Sequence, residues 1–152
     1  MKEIFKSVAV FFEKESWPTN RIEGETACSM RFKGRHGEWT CVAQAYEEDR
    51  TFVFYSSCPV KASAETFPAV CELVSRLNYS MLCGNFEIGY LDGDIRFRTS
   101  IEMPGHDLEH LMIDRVVYNN VATMDMYLPA ILDVVENAAR PIDAISNALL
   151  VP

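Results

Sequence analysis

Apolar side chains recur at two different periods along this chain, and the switches between them divide it into elements. Ile4, Phe5, Val8, Phe11 and Phe12 fall on one helical stripe between residue 2 and about residue 15, with Lys2, Lys6, Glu13 and Lys14 mostly off it. Trp17-Pro18 closes that helix. From Ile22 to Ser57 the period becomes two, with turns at Gly34-Arg35-His36-Gly37 and Glu47-Glu48-Asp49-Arg50, which predicts three antiparallel strands. Pairing Lys33 with Glu38 and Tyr46 with Thr51 puts Cys28, Met30, Phe32, Trp39, Cys41, Ala43, Ala45, Phe52 and Phe54 on one face. The opposite face receives Ser29, Arg31, Lys33, Thr40, Val42, Gln44, Tyr46, Val53 and Tyr55, a mixture that reads as partly wet.

A second helix is expected to start between Ser63 and Thr66, with Pro68 in its first turn and Phe67, Val70, Cys71, Val74 and Leu77 on its buried stripe. It ends near Asn78, and Asp92-Gly93 then predicts a two-residue type I′ hairpin. That turn pairs Leu91 with Asp94 and sets Glu87 across from Arg98, leaving Phe86, Ile88, Tyr90, Ile95, Phe97 and Ile101 on the core face. Pro104-Gly105 stops the sheet, and Asp107 is the expected N-cap of a helix through Leu108, Leu111, Met112, Arg115 and Val116 to Asn119 or Asn120. Another helix is expected from Thr123 or Asp125 with Pro129 in its first turn, and a short one after Arg140-Pro141. The fold class that follows is α+β, an antiparallel five-strand sheet packed by helices in the order α-βββ-α-ββ-α-α. No repeat or long linker divides it, so a single domain over residues 1–152 is expected.

At 152 residues a chain buries roughly 68–70% of its unfolded surface, enough for a core without staples. A net charge of −8 disfavours a nucleic-acid backbone or an anionic membrane surface as partner, and Arg31, Lys33 and Arg35 read as a solvated strand end. Five cysteines without C-x-x-C spacing suggest reduced thiols. The apolar run Val8–Phe12 is flanked by charge and too short to span a bilayer. A cytoplasmic location is the expectation.

Candidate chemistry is sparse. His106 and His110 stand at i and i+4, a spacing that on a helix can hold a metal ion, and a metal-dependent hydrolase is the alternative reading. Pro104-Gly105 just before His106 weakens that reading, and metal and cofactor are both expected to be absent. Cys28, Cys41 and Cys71 occupy apolar positions, which leaves Cys58 as the accessible thiol. Glu87 with Arg96 and Arg98 reads as a cross-strand ion pair, and Gly84, Gly89 and Gly93 do not make a phosphate loop. What remains is a surface: Val42, Tyr46, Val53 and Tyr55 form a half-apolar, aromatic patch suited to an extended peptide or a second subunit unless a helix covers it.

The order Arg76-Leu77-Asn78, Gly84-x-Phe86-Glu87, Asp92-Gly93-x-Ile95-Arg96 and Arg98-Thr99-Ser100 resembles the YbjN family of small bacterial proteins, with weaker echoes at Asp125 to Pro129 and Pro141 to Ala144. The resemblance implies the fold of type III secretion chaperones, which are small, acidic, usually dimeric and hold unfolded segments of client proteins. It implies a stress-related or sensory regulator and brings no catalytic residues with it. The expected protein is therefore a non-enzymatic, homodimeric, chaperone-like or regulatory adaptor that binds a protein partner, with a small-ligand sensor as a further alternative.

Overall fold

The computed structural model describes residues 1–150. Helix α1 spans Ile4–Lys14, followed by β1 (Asn20–Arg21), β2 (Ala27–Lys33), β3 (Glu38–Tyr46) and β4 (Thr51–Ser57). Helix α2 (Phe67–Tyr79) leads to β5 (Asn85–Ile88) and β6 (Ile95–Glu102), and α3 (His110–Asn137) and α4 (Pro141–Ala148) complete the chain. The strands form one antiparallel sheet in the order β1-β2-β3-β4-β6-β5. It has six strands rather than five, because Asn20 and Arg21 pair with Ser29 and Cys28 in a strand too short to show alternation.

The first three long strands pair as the alternation predicts, with Lys33 opposite Glu38 and Tyr46 opposite Thr51. Trp39, Cys41, Phe52, Phe54 and Phe97 are buried on the inner face and share one core with Phe12 of α1, Leu73 of α2, Val117 of α3 and Ala144 of α4. All four helices thus pack on the same side of the sheet. Polar groups pin the layers: Asn120 on α3 donates from Nδ2 to the carbonyls of Phe54 at 2.9 Å and Phe97 at 3.1 Å, and Thr99 donates to the carbonyl of Val116 at 2.8 Å. The Asn120 amide nitrogen and the Thr99 hydroxyl are thereby satisfied across the helix–sheet boundary, while Asn120 Oδ1 is buried without a partner among the described residues.

Helix α1 is started by the β3–β4 turn. The Glu47 carboxylate accepts from the N–H of Ile4 at 2.9 Å and of Phe5 at 2.8 Å, supplying acceptors to a helix end that otherwise lacks them. Arg50 in the same turn donates to the carbonyls of Lys2 and His106, so one turn holds both the amino terminus and the loop before α3.

The two helices expected between residues 108 and 137 are one continuous helix of 28 residues, with Pro129 in its interior and Glu109 rather than Asp107 at its N-cap. A proline there removes the N–H that would bond to the carbonyl of Asp125. His36 replaces it: its Nδ1 lies 2.9 Å from that carbonyl oxygen, which can only accept, so Nδ1 carries the proton. The Asp125 carboxylate in turn accepts the backbone N–H groups of Arg35 and His36. This close approach requires Gly34, since a Cβ there would overlap the Asp125 carboxylate.

The last hairpin also departs from expectation. Glu87 lies opposite Arg96, and Asn85 opposite Arg98, a shift of two residues. A two-residue shift preserves which side chains face the core, so Phe86, Ile95 and Phe97 are still buried, but Tyr90 is exposed in the turn. The turn is longer than type I′ because Gly93 docks elsewhere: its carbonyl accepts from Ala62 at 2.9 Å, its N–H donates to Gly89, and its φ of +72° with Ala62 in the way of any Cβ requires glycine.

Candidate protein-binding surface

Because every helix occupies the inner side, the outer face of the sheet carries no second layer. Register lines up Ser29, Val42, Tyr55, Arg98 and Asn85 across it, with Gln44, Val53 and Ser100 in the next row and Tyr46, Thr51 and Glu102 beyond. The four patch residues singled out by alternation therefore sit together on a face no helix covers. Their exposure is unequal. Tyr46 is 40% exposed and Val42 and Tyr55 are half-buried, whereas Val53 is 5% exposed, shielded by its neighbours on the sheet.

Electrostatics orders the patch. Arg96 lies with its guanidinium 4.3 Å from the centre of the Tyr55 ring and its Nε 2.8 Å from Glu87, whose other oxygen is 2.9 Å from Arg98. The fork thereby fixes Arg96 over the Tyr55 ring in a cation–π contact. Burial, reinforced by the neighbouring Tyr55 hydroxyl, raises the Tyr46 phenol above its usual range, so that ring stays a neutral hydrogen-bonding group at neutral pH.

The other sequence candidates do not assemble. His106 precedes α3 in a loop, its N–H bonded to the carbonyl of Met103, while His110 opens the helix with its ring 4.8 Å from Phe11 and Nε2 4.0 Å from Glu15. The two imidazoles do not share a helical face, and among the described residues no group of three His, Cys, Asp or Glu side chains is placed to hold a metal ion. Cys58 is buried at 7% exposure, a correction to its expected accessibility, and burial pushes its thiol up to about 11. Its backbone N–H extends the β4–β6 ladder to Ile95, which draws the residue in. The exposed thiol is Cys83. Sequence reasoning also missed a groove beside Cys83, between the uncovered half of β6 and the first turns of α3, because its walls come from segments far apart in the chain.

No helix among the described residues is long and apolar enough to cross a membrane. The model of the YbjN family, described as "Putative bacterial sensory transduction regulator", matches residues 6–133. Among solved structures, YbjN from E. coli has a similar fold, with a TM-score of 0.60 at 10% identity over 80% of this chain and 86% of that one. A chain of the ExsC–ExsE complex is similar at a TM-score of 0.54 and 12% identity, covering 82% of this chain and 90% of its own. No curated protein sequence matches this one.

Proposed function

Starting from the fact that this chain belongs to the YbjN family, we propose that it is a non-enzymatic regulatory or chaperone-like adaptor that acts by binding another protein, as a homodimer in the cytoplasm. One observation carries this reading: four helices cover one face of the sheet and leave Val42, Tyr46 and Tyr55 on the other without a covering layer, with Val53 buried beside them on the same face. An aromatic ring already held by an arginine, as Tyr55 is by Arg96, offers contact area at little cost in side-chain entropy. A partner segment lying across these strands buries the rings and keeps Glu87, Arg96 and Arg98 at the rim, where charge selects rather than binds. The similarity to a chain solved in a protein–protein complex supports the same reading, as does an acidic surface that limits unspecific self-association.

Sedimentation equilibrium and partner capture with the Tyr55→Glu chain test it. The carboxylate cannot be buried unpaired, so the variant is expected to keep its fold and lose association. Unchanged association would sink the proposal. Stoichiometric metal in the purified protein, lost in His110→Ala, would favour the hydrolase alternative instead.

A further inference from the structure

Strand β6 runs from Ile95 to Glu102, yet β5 pairs with its first half alone, ending at Asn85 opposite Arg98. The β4 side of β6 is bonded through odd-numbered residues, as the bonds from Cys58 to Ile95 and from Met103 to Arg50 show. Antiparallel geometry then aims the N–H and C=O of Ser100 and Glu102 at the opposite, open edge, and among the described residues neither backbone finds a partner there. Four residues at about 3.3 Å each leave roughly 13 Å of bare strand edge collinear with β5.

Below this edge lies a groove of about 730 Å³ floored by α3. Its walls are apolar and exposed: Leu82 is 99% and Leu111 64% accessible, with Met112 and Ile101 between them. Its charged lining residues are Arg98 and Arg115, with no carboxylate, on a chain whose net charge is −8. Arg98 is held by Glu87, while Arg115 is exposed and has no ion-pair partner among the described residues.

We infer that the open half of β6 receives an extended, acidic segment of a partner protein as a seventh strand, collinear with β5. Main-chain bonds to Ser100 and Glu102 fix its direction, alternate apolar side chains drop onto Leu111 and Met112, and an acidic residue meets Arg115. A bare edge specifies an extended occupant because an incoming helix has no free donors and acceptors to offer it. The cationic Arg115, with Arg98 already neutralised by Glu87, specifies an acidic one. This inference rests on the protein-binding reading above but uses a different surface, so the two fail separately.

The test is selection of a displayed library of random twelve-residue peptides against the immobilised full chain, followed by calorimetric titration of the enriched synthetic peptides. Enriched sequences are expected to alternate bulky apolar residues and to carry Asp or Glu. Ser100→Pro removes the edge N–H at a position where an edge strand tolerates proline, and Arg115→Glu reverses the selecting charge. Each is expected to weaken binding at least tenfold, with circular dichroism unchanged and Tyr55→Glu without effect. If Ser100→Pro alters the fold, Arg115→Glu decides alone. The inference is overturned by three outcomes: no enrichment over a protein-free control, peptides that bind both variants like the parent, or self-association of the parent chain that Ser100→Pro abolishes, which would assign the edge to a second copy.

Discussion

The two faces of the sheet are built by the same alternation and end in opposite surroundings. On the inner face Trp39, Phe54 and Phe97 are at most 1% exposed and interlock with four helices. On the outer face Val42, Tyr55 and Tyr46 meet solvent, and Glu87, Arg96 and Arg98 form a fork that has no counterpart inside. Apolar character alone does not separate them, since Val53 on the outer face is nearly as buried as its inner neighbours. The difference is that inner side chains have partners from distant segments, and outer ones have neighbours on their own sheet. Stability accumulates where side chains interlock across layers, which leaves the single-layer face open to the recognition role proposed for it.

Substitutions ought to separate the faces by size of effect. Phe54→Ala leaves a cavity among Phe12 and the helices and should destabilise by about 3–5 kcal/mol, measured by urea denaturation; a loss below about 1 kcal/mol would mean the two layers are not interlocked. His36→Ala takes away the donor that completes α3 at Pro129, for an expected loss of about 1–3 kcal/mol, and amide exchange should rise around Asp125 before it rises elsewhere in the helix.

Alkali acts on the inner face through its thiols. Burial raises Cys41 and Cys58 from the usual 9.0 to about 11, so the folded state keeps both protons after the unfolded chain has released them. Stability is therefore unaffected below about pH 9, falls between about pH 9 and 11 as the unfolded state ionises, and levels beyond. Denaturation midpoints that decline equally in Cys41→Ala/Cys58→Ala and the parent would break that link. The smallest effect belongs to the outer face: Tyr55→Glu should change folding stability by no more than about 0.5 kcal/mol, whatever it does to association.

The parts of the fold that were legible in advance share one property, which is that neighbouring residues encode them. Alternation from Cys28 to Phe54 gave the inner face and its register, because a slip of one residue would turn Trp39, Cys41 and Phe54 outward. Pro68 and Pro141 marked helix starts because proline's lost N–H is harmless there. Pro129 misled for the same reason: the local rule was sound, but a histidine 89 residues from Asp125 supplies the missing donor. Asp92-Gly93 misled likewise, since Ala62 claims the Gly93 carbonyl and lengthens the turn.

The sequence by itself determined which side chains of the three long strands β2, β3 and β4 point inward, the order of the main elements, and the placement of Val42, Tyr46, Val53 and Tyr55 on one sheet face. Only the tertiary structure decided that all four helices choose the same side of the sheet, that α3 runs unbroken, and that half of β6 is left bare above Leu111 and Arg115. Periodicity is a property of adjacent residues and can be read along the chain, whereas a covered face, a borrowed hydrogen bond and an open edge depend on which distant segments meet.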